Sequence, residues 1–377
     1  MLRVLHCIYD DPGNPWVAGG GSVRAREIYR RLAGRLGSVT IATGAYPGAR
    51  DEEIDGIHYR RLGRPTPYAV SRLSFSYEAT RLLATAEYDV AVSDFSTYTP
   101  LLTPRNRPVG ITVHHLTGPA ALARWGGWIG RMVVAQEQWR LRRGRFFSAT
   151  SHATAERLRA VVGPDPLIRV IQAGVPDALF ALPRRESDYL LYFGRLDWNH
   201  KGLDVLLQAM EMLVDAYPDL RLKVAGRGKD AERLLREART AGIRENIELI
   251  GGVDDETRAE LFSGARILLM PSRFEGFGMV AAEAMAAGVP VIASNTGSLP
   301  EVVDPPQGGV LVPVGDPIAL ARAADELLRD GAARRRLSQS ARASANRFRW
   351  DHIADEHLNF LETIQERMSE EKRGVGR

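Results

Sequence analysis

Short hydrophobic runs alternate with longer stretches in which apolar residues return every three or four positions. The short runs read as buried strands. They fall at Arg3–Ile8, Ser38–Thr43, Ile57–Leu62, Val90–Ser93, Val109–Val113, Phe146–Ala149 and Ile168–Ile171. A second series covers Tyr189–Phe193, Arg221–Ala225, Ile247–Ile250, Arg266–Met270, Val289–Ala293 and Gly309–Val312. Ser22–Leu36, Ser74–Ala86, Ile318–Leu328 and Ala332–Arg347 carry helical periodicity. Strands alternating with helices predict an α/β fold with parallel sheets covered by helices. Periodicity lapses between Gly174 and Glu186, which reads as a linker. The pattern thus predicts two doubly wound, Rossmann-like lobes, residues 1–178 and 185–347, with ligands in the cleft between them. An amphipathic helix over about 350–368 follows, and the charged residues 369–377 are expected to fray.

A length of 377 residues suits two domains. Apolar content of 45% and charged content of 25% belong to an ordinary globular chain, so disorder and fibrous classes drop out. The one cysteine, Cys7, precludes an internal disulfide and sits in the apolar first strand. The first residues lack the long apolar core of a signal peptide, and no run of apolar residues is long enough to span a bilayer. The default expectation is a cytoplasmic enzyme. The net charge of +4 is modest and points to no partner, and none of nucleic-acid type is expected. Lysine occurs only at Lys201, Lys223, Lys229 and Lys372, so Lys201 stands out in an arginine-rich chain.

The densest chemistry lies in Pro271-Ser-Arg-Phe-Glu275-Gly-Phe-Gly-Met-Val-Ala-Ala-Glu283, which leaves a strand and enters an alanine-rich helix ending at Gly288. Free amides at that helix start, from Phe277, Gly278 and Met279, offer an anion site. Glu275 stands at its mouth, and Glu283 lies farther along the helix. Two such carboxylates suit a ligand bearing both phosphate and hydroxyl groups. A second strand-to-helix turn, Phe193-Gly-Arg195-Leu-Asp-Trp-Asn-His-Lys201-Gly202, projects two cations. Arg195 offers a planar fork for phosphate oxygens and Lys201 a mobile point charge. With no Asp-x-Asp pair to hold a divalent metal, these cations and a helix N-terminus are the expected neutralisers of a diphosphate. The competing reading is a surface arginine and an ordinary helix start; His200 is expected to be incidental.

Together these segments resemble the retaining glycosyltransferases of family 4, with the GT-B fold. Glu275 and Glu283 match that family's paired glutamates, and Gly-Arg195…Lys201-Gly its diphosphate site. The resemblance implies that Arg195 and Lys201 stabilise the departing diphosphate, Glu283 holds the ribose and Glu275 positions the sugar. Three glycine turns agree: Gly226-Arg-Gly228, Gly251-Gly252, which resembles the segment along the nucleotide base, and Gly297-Ser-Leu-Pro300-Glu301. In the first lobe, Gly19-Gly20-Gly21-Ser22 is not the spaced dinucleotide fingerprint, so no nicotinamide cofactor is expected. It resembles the family's glycine-rich loop facing donor phosphate and acceptor. His114 ends a buried strand where the family has a histidine near the reacting carbon; His115 replaces the more usual Asp or Asn. The final helix resembles the one that returns to the N-terminal lobe.

Ala120–Arg145 interleaves Trp125, Trp128 and Trp139 with arginines, including Arg124 and Arg131. That suits a bilayer surface, at the inner face of the plasma membrane, or an anionic acceptor; a solvated helix with tryptophans turned inward competes. The expected activity is metal-independent, retaining transfer of a sugar from a nucleotide-diphosphate donor, such as UDP-glucose or GDP-mannose, to a hydroxyl of a glycan, glycolipid or small molecule. No cofactor beyond the donor is expected. A nucleotide-sugar epimerase of the same fold and a non-catalytic binder remain as alternatives.

Overall fold

The computed structural model of the chain describes residues 1–374, apart from 18, 19, 98, 100, 101 and 119–125. It divides into two units, Met1–Ala173 with Trp350–Arg377, and Gly174–Arg349.

The first unit is built on a sheet of β1 (Arg3–Cys7), β2 (Ser38–Gly44), β3 (Glu52–Ile54), β4 (Ile57–Leu62), β5 (Val90–Asp94), β6 (Val109–Val113), β7 (Phe146–Ala149) and β8 (Leu167–Val170). The order is β3-β4-β2-β1-β5-β6-β7-β8, parallel except for the β3–β4 pair. Strand order reverses between β1 and β5, so their C-terminal ends flank a switch point, where open α/β sheets accept ligands. Around the sheet lie α1 (Gly20–Leu32), α2 (Tyr68–Thr85), α3 (Gly127–Leu141) and α4 (His152–Val162).

In the second unit, α5 (Asp177–Phe180) precedes β9 (Tyr189–Phe193), α6 (Leu203–Ala216), β10 (Arg221–Ala225), α7 (Ala231–Thr240) and β11 (Ile247–Gly251). Then come α8 (Asp255–Gly264), β12 (Leu268–Met270), α9 (Met279–Ala286), β13 (Val291–Ser294), α10 (Leu299–Val303), β14 (Gly309–Val312), α11 (Pro317–Arg329) and α12 (Gly331–Ser344). The sheet is wholly parallel, in the order β11-β10-β9-β12-β13-β14. Its switch point lies between β9 and β12. Strand residues Leu190, Leu222, Leu269 and Ile292 pack with Leu206, Met210 and Leu320 from the helices to form its core.

The last helix, α13 (Trp350–Gly374), belongs to the first unit. Trp350, Ile353, Phe360, Leu361 and Ile364 join Tyr29, Ile41, Val92 and Ile171 in one core cluster. Each large side chain so buried contributes about 1.5–3 kcal/mol. Gly110 of β6 lets α13 seat closely, because a Cβ there would stand 2.8 Å from both Phe360 and Ile364.

Several boundaries differ from expectation. α1 runs from Gly20 to Leu32, not from Ser22 to Leu36, and α2 starts at Tyr68 rather than Ser74. β3 and α4 were not anticipated, although the Ser151 hydroxyl caps α4 by accepting from the Thr154 amide. The linker contains α5. Residues 369–374, expected to fray, continue α13, beside buried Met368 and an Arg145–Glu371 ion pair.

Candidate functional site

The two loops singled out in the second half follow β9 and β12, the strands that flank its switch point. They are tied to each other. Lys201 pairs with Glu275. Arg273 grips Asp204 through two hydrogen bonds of 2.8 and 2.6 Å, and its amide donates to the His200 carbonyl at 2.9 Å. Gly202 caps α6 with φ +65°, and a Cβ there would lie 2.1 Å from the Pro271 carbonyl oxygen. Only glycine accepts both the left-handed backbone and that approach. Gly278 likewise caps α9 at φ +93°, turning the chain so that the amides at Phe277, Gly278 and Met279 open the helix. The Ser298 hydroxyl holds this turn by donating to the Phe277 carbonyl at 2.6 Å.

The cations differ in state. Lys201 is neutralised by Glu275, so a bound anion must share or displace that pair. Arg195 is exposed and makes no ion pair or side-chain hydrogen bond among the described residues; the Tyr192 hydroxyl donates to its carbonyl. His200 pairs with Asp197 at 3.0 Å, a loop-shaping contact. Glu283 is 7% exposed, and its carboxylate accepts from Arg258 of α8 at 3.4 Å. Burial pushes its pKa up to about 7, against the pull of Arg258. Gly251 ends β11, beside Gly252. The backbone of Gly226 crosses that of Gly194, with its amide donating to the Gly251 carbonyl.

In the first unit, Gly20 and Gly21 open α1, whereas Gly19 lies outside the described residues. Gly21 approaches a cluster the sequence did not announce: a Cβ there would be 3.6 Å from both Asp94 and His114. Asp94, at the end of β5, accepts from His114 Nε2 at 2.7 Å and His6 Nε2 at 3.0 Å. Burial opposes its charge, but the two histidines overcome that and hold its pKa well below the carboxylate range. Asp10 is pushed up to about 6 by burial and by Asp94. His115 is exposed. Glu137, buried on α3, accepts from the Thr97 hydroxyl and from the amides of Thr117 and Gly118, fixing the loop after β6.

α3 inverts the usual pattern. Its buried residues include Glu137 and Arg140, while Trp128, Met132 and Trp139 are 71%, 61% and 52% exposed. Trp128 and Trp139 therefore do not turn inward. Arg131, Arg142 and Arg143 are exposed beside them, and Trp125 and Arg124 lie outside the described residues. No helix among the described residues is long and apolar enough to cross a membrane.

Arg273, Asp204 and Arg258 were missed by sequence reasoning, as were Asp94, His6, Tyr29 and His357. The only local signal was the polar residue closing β5, the neighbour of β1.

Two Rossmann-like units with polar groups at both switch points define a GT-B protein. Solved structures agree on the fold. Sucrose-phosphate synthase from Thermosynechococcus elongatus matches with a TM-score of 0.74 at 23% identity, over 100% of this chain and 99% of that one. Anabaena HepE, solved in complex with UDP, matches with a TM-score of 0.74 at 17% identity, over 96% and 100%. Residues 18–179 match the family model "Glycosyltransferase Family 4" and residues 180–344 match "Glycosyl transferases group 1". The chain belongs to glycosyltransferase family 4. A phosphatidyl-myo-inositol mannosyltransferase of Mycobacterium leprae is 36% identical over 194 residues, which is 50% of this chain and 51% of that protein. A glycogen synthase of Mycobacterium tuberculosis is 31% identical over 257 residues, 66% and 61% respectively. The matched stretch thus spans about half to three-fifths of these relatives.

Proposed function

We propose that the chain is a retaining glycosyltransferase that moves a sugar from a nucleotide-diphosphate donor to an acceptor hydroxyl without needing a metal. The observation that carries this reading is the clasp at the second unit's switch point. There Lys201, on the loop after β9 that also carries Arg195, pairs with Glu275, on the loop after β12 that leads into α9. That placement fits a diphosphate, whose charge grows as the sugar departs. Glu283 holds the ribose hydroxyls and Glu275 positions the sugar. Family resemblance gives His114 a contact near the reacting carbon. The bond from the anomeric carbon to the phosphate oxygen breaks as the acceptor oxygen bonds on the same face. The acceptor proton passes to the departing phosphate.

The names of the relatives, a mannosyltransferase and a glycogen synthase, support hexosyl transfer. UDP bound to Anabaena HepE supports a nucleotide ligand. The exposed tryptophans and arginines of α3 support peripheral contact with an anionic bilayer, hence a cytoplasmic enzyme acting at the membrane face. A lipid-linked acceptor fits both this surface and the phosphatidyl-inositol in the first relative's name. The test is a thermal-shift panel of UDP, GDP and ADP, followed by incubation of the matching sugar donors with acceptors and product analysis. Release of nucleotide diphosphate with a new α-glycoside from an α-linked donor is expected. An isomerised donor with no glycoside would replace this reading with epimerisation.

A further inference from the structure

A buried file of polar side chains crosses the first unit, joining groups far apart in sequence. His114 Nε2 meets Asp94 Oδ2, and Asp94 Oδ1 meets His6 Nε2. His6 Nδ1 lies 3.0 Å from the Tyr29 hydroxyl, which lies 3.2 Å from His357 Nε2 on α13. His357 Nδ1 is buried without a partner.

Hydrogen-bond inventory fixes the direction of the two bonds at Asp94 and favours one direction beyond them. An ionised carboxylate only accepts, so His6 and His114 both present Nε2–H to Asp94. With one proton on the ring, at Nε2, His6 presents a bare Nδ1 that accepts the Tyr29 proton. The Tyr29 oxygen accepts from His357 Nε2–H, leaving a lone pair on His357 Nδ1. Reversing the file would strand a buried N–H at that nitrogen, beside the buried guanidinium of Arg24, which opposes a further cation. All donors therefore point toward Asp94. Among the described residues, His114 Nδ1 has no protein partner.

We propose that Asp94, backed by His6, Tyr29 and His357, is a positioning residue that locks His114 as its Nε2–H tautomer. His114 Nδ1 then acts as a hydrogen-bond acceptor and selects a ligand that presents a hydroxyl to it. The choice of sugar or acceptor hydroxyl as that ligand rests on the transferase reading; the tautomer does not.

The test uses the full chain labelled with ¹⁵N-histidine, with ring signals assigned by the His114→Asn variant. Wild type should show a proton on Nε2 and none on Nδ1. In Asp94→Asn, the amide must donate to one ring, so His114 should swap tautomer or become mixed. Its kcat should fall about tenfold or more, since an asparagine beside a functional histidine selects the wrong tautomer. The Kd values for UDP and GDP should stay unchanged, because the clasp lies in the second unit. Tyr29→Phe keeps the ring volume, so it serves if Asp94→Asn fails to fold. It should shift His114 in the same direction by less. Wild-type His114 protonated on Nδ1, or signals unchanged in the folded variants, would overturn the proposal. The expected tautomer in a chain that transfers no sugar would leave the positioning role standing and sink the transferase reading instead.

Discussion

Replacing Glu283 with glutamine separates a ligand-binding carboxylate from a structural one. In the fold, burial raises its pKa from 4.5 to about 7. Between those values the folded chain keeps a proton that the unfolded chain releases. Stability from this group therefore falls as pH rises through that window, by about 3 kcal/mol in all. Glutamine has no such slope. Its carbonyl can still accept from Arg258, which also pairs with Asp255 at 2.9 Å, and the pull of Arg258 on the charged form is already contained in the raised pKa. Glu283→Gln should thus nearly match wild type near pH 5 and exceed it by about 2–3 kcal/mol at pH 8. Nucleotide binding should move the other way. Hydrogen bonds to a charged acceptor exceed neutral ones by about 1–1.5 kcal/mol, so affinity for UDP or GDP at pH 8 should fall roughly tenfold. Denaturant unfolding at the two pH values and titration calorimetry measure both. A variant destabilised at pH 8 with unchanged nucleotide affinity would refute the reasoning and make Glu283 a structural partner of Arg258.

Lys201→Ala should cut sugar transfer by about 10²–10³ in initial rates, and, because it leaves the largely buried Glu275 without its partner, should also lower stability by a few kcal/mol in denaturant titration. Gly202→Ala should destabilise by at least about 2 kcal/mol in denaturant titration, since a left-handed backbone and a clash with the Pro271 carbonyl add. Converting Trp128, Met132 and Trp139 together to serine should abolish flotation with anionic vesicles at low salt and leave the melting temperature unchanged; undiminished flotation would remove α3 from the membrane reading.

The second unit was legible because its chemistry is local. Glycines with positive φ, a strand and a helix start all lie within the few residues around Glu275 and around Lys201. Even there, the sequence showed two separate loops; the Arg273–Asp204 grip, across 69 residues, needed the fold. The first unit hid more. His6 and His357 are 351 positions apart, and nothing in either neighbourhood marks them as joined through Tyr29. α2 was cut short because exposed Leu73 and Tyr77 blur its apolar stripe. β3 has only three residues, too few for an alternation to register. In α3 the pattern misleads outright, since glutamate and arginine face inward and tryptophan outward.

The placement of α13 has a consequence during synthesis. Residues 174–349 form a contiguous unit, able to fold as soon as they clear the ribosome. Residues 1–173 emerge earlier yet lack Trp350, Phe360 and Ile364, so their nascent sheet waits on the order of ten seconds or more for its closing helix. The half translated first is completed last, and until then its apolar face is the natural client surface for a chaperone.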